Sequence, residues 1–169
     1  MTMRSRVART SLFVSLVAIG LGGCGGKDDA TASERLWIST LPTSPKKPIS
    51  AFMATKATDG KYIGAFFTGS LYRGGHDVFT WTPRSGGADV VFLQDGTKAR
   101  LRFESCKPSK GFDHCLMVKG DPTGTVKYQS RKRWATRRGS SDIIPTQMVT
   151  SAIAELAEED EDLEALLTP

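Results

Sequence analysis

The sequence predicts an all-β fold: a small antiparallel meander of seven or eight strands, closed into a barrel or barrel-like sheet, with a helical acidic tail at its C-terminus. Three observations carry this. Short apolar runs recur between Gly, Pro and Asp turn signals from Leu36 to Trp134. One run alternates strictly, with Ala99, Leu101 and Phe103 on one face and Lys98, Arg100, Arg102 and Glu104 on the other, the period of a half-buried strand. There is no strand–helix–strand alternation of the kind a parallel sheet needs. Closure into a barrel would remove exposed edges; a two-sheet sandwich is the alternative.

The elements follow in order. Leu36-Trp37-Ile38 is the first apolar run. Leu41 to Pro48 is a loop, because its prolines cannot donate to a ladder. Ile49 to Lys56 is the next strand, and Asp59-Gly60 predicts a type I′ turn into Lys61 to Tyr72. After Gly74-Gly75, the stretch Asp77 to Thr82 places Phe79 and Trp81 on one face. Gly86-Gly87 leads to Val90 to Leu93, and Gln94-Asp95-Gly96-Thr97 turns into the alternating run. Cys115 to Val118, a turn at Asp121-Pro122-Thr123-Gly124 and a last strand from Val126 to Trp134 complete the set. Phe66, Phe67, Phe79, Trp81, Phe92 and Phe103 are expected as core rather than as the lining of a ligand cavity.

The tail differs in kind. Ser141 or Asp142 caps a helix with Pro145 in its first turn. Met148, Val149, Ala152, Ile153 and Leu156 then form one apolar stripe, followed by acids from Glu158 to Asp162 and a short end at Leu163, Leu166 and Leu167. From Thr31 to Ser140 there are 19 Lys and Arg against 8 Asp and Glu, a net of +11; from Ser141 onward there are 8 acids and no Lys or Arg. Such asymmetry predicts that the tail packs back on the β domain or screens its charge.

The N-terminus carries Arg4, Arg6 and Arg9 before an apolar core from Leu12 to Leu21. That core is about ten residues, where a membrane span needs roughly 20. It ends Leu21-Gly22-Gly23-Cys24, which resembles the lipobox of bacterial lipoproteins. The resemblance implies removal of residues 1–23, a thioether-linked diacylglycerol on Cys24 and usually a third acyl chain on the new amine. More than one chain gives stable anchoring to the bilayer. Residues 24–34 read as a flexible tether of roughly 18 Å, followed by the β domain (35–138) and the tail (139–169). Gly25 and Gly26, rather than Asp, follow Cys24; in the sorting rule of enteric lipoproteins this favours the outer membrane, with the domain facing the periplasm.

Export places Cys106 and Cys115 in an oxidising compartment, and Pro108 and Gly111 between them form a turn. A disulfide is expected, worth roughly 2–4 kcal/mol. The rival is a metal site at Cys106, His114 and Cys115, which lacks a fourth ligand at a familiar spacing; no metal and no cofactor are expected. A Cys-x8-Cys near the end of a small β domain also resembles a group of uncharacterised Gram-negative lipoproteins, which implies no activity.

Catalysis is not indicated. His76 and His114 sit in Gly-rich turn contexts, and His76-Asp77 has no accompanying G-x-S-x-G elbow. The Gly pairs lack the Lys-Ser/Thr of a phosphate loop. A basic group does stand out: Lys127, Arg131, Lys132, Arg133, Arg137 and Arg138 surround Tyr128 and Trp134. It suits an anionic partner, and the compartment favours lipid headgroups or another envelope protein over nucleic acid. A lipocalin-like carrier of a small apolar ligand is the alternative, but its Gly-x-Trp signature is missing, since Arg35-Leu36 precede Trp37. The reading is a membrane-anchored, non-enzymatic binding or structural module.

Overall fold

A computed structural model describes residues 32–39, 41–44, 46–70, 74–121, 127–136 and 145–167. The signal segment, Cys24, Arg137, Arg138, the expected helix cap at Ser141 or Asp142 and most of the turn after Asp121 lie outside the described residues. Eight strands close into an antiparallel barrel in sequence order: β1 (Arg35–Ile38), β2 (Ile49–Lys56), β3 (Tyr62–Gly69), β4 (Gly74–Arg84), β5 (Gly87–Phe92), β6 (Lys98–Ser105), β7 (His114–Lys119) and β8 (Lys127–Ser130). Ile38 opposite Gln129 joins β8 back to β1. Helices α1 (Pro145–Ala157) and α2 (Glu161–Leu167) follow, with Pro145 as the first helical residue.

The inward positions are filled by rings and branched aliphatics. Trp37, Phe52, Phe66, Phe79, Trp81, Phe92, Phe103 and Tyr128 form one buried cluster with Val90, Leu101, Leu116 and Val118. Phe52 meets Tyr128 edge to face at 4.8 Å, and Trp81 stacks on Phe103 at 5.3 Å. Small residues make room where strands crowd: a Cβ on Gly64 would lie 2.4 Å from the Phe79 ring and 2.3 Å from the Met53 carbonyl oxygen.

A second buried cluster lies outside the barrel. Leu36, Ile38, Ile49, Ala51, Met53 and Phe67 face Val149, Ala152, Ile153, Leu156 and Leu163. The outer wall of β1 to β3 is thus apolar and covered by α1 and α2, while β6 alternates with exposed cations. The tail therefore docks, and Val149, Ala152, Ile153 and Leu156 are the buried residues of its stripe, with Met148 half-buried.

Several expectations shift. Phe67 is core, but of the outer cluster. Residues Ala32 and Ser33, inside the expected tether, are buried at 0% and 3% exposure, and Trp37 Nε1 donates to the Ala32 carbonyl at 2.8 Å. The hairpin after β2 is not type I′. Gly60 has φ of 84° while Asp59 is not left-handed, and Gly60 N–H donates to the Ala57 carbonyl, a right-handed turn completed by a left-handed glycine. The last strand stops at Ser130 rather than Trp134, because residues Lys132–Trp134 coil into a 3-10 turn. Pro83 is tolerated inside β4 because β3 ends opposite Trp81, leaving only β5 beside it.

Candidate functional site

The 3-10 turn after β8 brings the predicted basic residues against the tail. Arg131 sits in extended backbone directly before that turn, and its side chain is only 6% exposed. Its Nη1 donates to Glu155 Oε1 at 3.0 Å and to Glu159 Oε1 at 2.8 Å, while Nη2 donates to Glu159 Oε2 at 2.7 Å. Nε donates to the Gly111 carbonyl at 2.7 Å. The guanidinium lies 5.9 Å from the ring centres of both Phe112 and Trp134, so its faces are shielded by rings. A charge so deeply buried is tolerated because its planar fork finds carboxylates and a carbonyl in geometry that replaces water.

Neighbours extend the clasp. Arg133 donates to both Glu155 and Glu159, and Trp134 Nε1 donates to Glu155 at 3.1 Å. The hydrogen bonds from Arg131 and then Arg133 hold the Glu159 carboxyl below its ordinary range. The bond to Glu155 in turn raises Arg133 above its usual value. Lys132 points elsewhere: its backbone N–H donates to Asp113 Oδ2 at 2.8 Å, the main cause of that carboxyl's lowered pKa, and its side chain is exposed.

The expected anion site is therefore divided. Arg131 and Arg133 are engaged by the tail's own acids, and Lys132 remains exposed. Lys127 opens β8 on the outer face, where its Nζ donates to Ser109 Oγ at 3.3 Å. A ligand at Arg131 would have to displace the tail. The partners Gly111, Phe112, Glu155 and Glu159 were not singled out from sequence. Their one available signal was the four-residue spacing of Glu155 and Glu159, which puts both carboxylates on one side of a helix end.

Cys106 and Cys115 are disulfide-bonded, with Cα atoms 5.0 Å apart. The bridge removes both thiolates from the alternative set with His114, and among the described residues no three His, Cys, Asp or Glu side chains gather around a metal position. It also anchors the loop that presents Gly111, Phe112 and Asp113 to the 3-10 turn. The histidines are separated: His76 is exposed on β4 opposite Phe67, and His114 opens β7. Burial, reinforced by the Arg35 charge, lowers the His114 pKa. His114 Nε2 and Arg35 Nε and Nη1 are buried without a protein hydrogen-bond partner, and Arg35 rests over the Trp37 ring at 5.8 Å.

No protein-family model, no curated protein and no solved structure matches this chain. The arrangement must be read on its chemistry. A buried guanidinium between two carboxylates holds a helix in place; it presents neither a nucleophile nor a paired acid and base to solvent.

Proposed function

We propose that the chain is an exported lipoprotein, acylated on Cys24, whose barrel is a non-enzymatic binding or structural module at a membrane. The outer membrane is the site that Gly25 and Gly26 favour. The observation that carries the module reading is the barrel interior: its rings pack at 4.8–6.5 Å and are at most 7% exposed. Recognition is left to the exterior, which is strongly charged. A closed eight-strand barrel is also the architecture of a lipocalin-like carrier, and its filled interior weighs against that use.

The test is detergent partitioning. Native protein should enter the Triton X-114 phase, and Cys24→Ser should stay unprocessed or aqueous. Equal partitioning of Cys24→Ser and the native protein would place the anchor elsewhere and sink the reading.

A further inference from the structure

In a closed ring of eight strands, β6 stands opposite β2. Helix α1 packs on β1 to β4, around the β2–β3 side of the ring, and the turn and helix after it carry the exposed acids Glu158, Glu161 and Asp162. The wall centred on β6 has the opposite sign. Lys98, Arg100 and Arg102 project outward along β6, flanked by Lys119 on β7 and Lys127 on β8, all exposed. Alternate residues on a strand are about 6.6 Å apart and strands about 4.8 Å apart, and Lys127 lies level with Glu104 through Met117, so the patch measures about 20 by 10 Å.

The wall's own acids do not neutralise it. Asp89 pairs with Arg84 and Arg100, and Glu104 pairs with Lys119. Lys98, Arg102 and Lys127 have no carboxylate partner among the described residues. Arg102 also lies directly opposite Lys119 in the ladder. Like charges there are destabilising, a cost that an external anion would relieve.

We infer that the β6 wall is the face that lies on an anionic membrane, with the acidic helices turned away. This rests on the lipoprotein reading for the source of the anion. The described residues begin at Ala32, eight residues from Cys24, and eight residues reach at most about 28 Å, so the anchor holds the barrel near the headgroups. A patch of cations spread over three neighbouring strands matches a two-dimensional array of lipid phosphates better than it matches a single linear polyanion. The basic group read from the sequence contributes Lys127 to this face, while its Arg131 and Arg133 belong to the tail clasp.

Lysine footprinting of the mature protein tests this without altering it. The protein is anchored in phosphatidylcholine vesicles with or without phosphatidylglycerol, and each lysine's acetylation rate is read by mass spectrometry. Anionic lipid should protect Lys98, Lys119 and Lys127 severalfold and reversibly with salt, leaving Lys46, Lys47 and Lys61 unchanged. Equal rates on both vesicles, or protection centred on Lys46, Lys47 and Lys61, overturns the inference. Flotation with the neutral vesicles reads the anchor separately: protein that fails to float contradicts the lipoprotein reading, and its footprint with added anionic vesicles still decides the face. Without the anchor, Arg102→Gln should bind anionic vesicles about fivefold more weakly, and Arg102→Lys should bind normally. Tight binding to soluble heparin with no response to anionic vesicles would assign the wall to a soluble polyanion and refute the membrane face.

Discussion

Arg131→Ala removes the centre of the tail clasp. The wild-type side chain is 6% exposed and makes three hydrogen bonds to Glu155 and Glu159 and one to the Gly111 carbonyl. Charged hydrogen bonds contribute about 1.5–3 kcal/mol each at most. That figure must be reduced here, since Glu159 is 52% exposed and regains water, and since Arg133 still holds both carboxylates. The Gly111 carbonyl loses its donor at about 1 kcal/mol. The expected loss is about 3 kcal/mol, or about 6–12 °C in Tm for a domain of this size. Arg133→Ala is the internal control. Its side chain is 55% exposed although it reaches the same two acids, so a far smaller loss is expected, as for exposed ion pairs generally. Urea unfolding gives both values, and limited proteolysis of the tail shows whether docking is what is lost. Equal costs for the two variants, or a tail equally protected in Arg131→Ala, would refute the claim that the buried arginine organises the contact.

Three further outcomes are expected. Ile153, 2% exposed on the barrel-facing side of α1, should cost about 2–4 kcal/mol when changed to Ala, comparable to Arg131→Ala; a loss below about 1 kcal/mol in urea unfolding would mean that burial does not hold the helix. Gly64→Ala should lower the melting temperature by overpacking the barrel, at about 1–3 kcal/mol, whereas Gly75→Ala, with nothing within 4 Å of its added Cβ, should be nearly neutral; equal melting curves would contradict the interior packing. Stability should fall with acidification. His114, lowered from 6.5 by burial, stays neutral while the unfolded chain takes a proton, so loss begins near that value; Glu159, also lowered, contributes above its unfolded pKa, and that contribution is lost as pH falls through the folded one. A flat urea midpoint between neutral and mildly acidic pH would refute the His114 assignment, and one that stays flat on further acidification through the carboxylate range would refute that of Glu159.

The barrel was legible where one face is wet. Along β6 charged residues and apolar inward residues alternate without exception from Lys98 to Glu104, so element, face and register could be read directly. The run Ala51-Phe52-Met53-Ala54 carried a different message, because both of its faces are apolar. Phe52 points into the barrel and Met53 towards the helices; a run with no polar face signals cover on both sides. The tail's stripe supplied that cover, and the charge asymmetry pointed to the docking. The identity of the buried cation was not legible. Arg131, Lys132 and Arg133 are chemically alike in sequence, and only the 3-10 turn after Ser130 decides which one turns inward. Nor could composition reveal that Glu155 and Glu159 would meet a residue 24 and 28 positions earlier.

Docking does not make the molecule neutral so much as it sorts its charge. Without residues 1–23, which the proposed processing removes with Arg4, Arg6 and Arg9, 20 Lys and Arg face 18 Asp and Glu, a net of only +2. A uniform sphere with that charge would be attracted weakly to an anionic surface and would show it no preferred side. The clasp holds the acidic tail over the β1–β3 wall through Arg131 and Arg133 at the end of β8, and it leaves the cations of β6 and β7 across the barrel with Asp89 and Glu104 as their nearby acids. Attraction on the basic side and repulsion on the acidic side then act together, and both fall off within about 8 Å at physiological salt. The orienting energy therefore depends on which wall is near the surface rather than on net charge. A tail held by the apolar cluster and keyed by Arg131 is what keeps that separation in register.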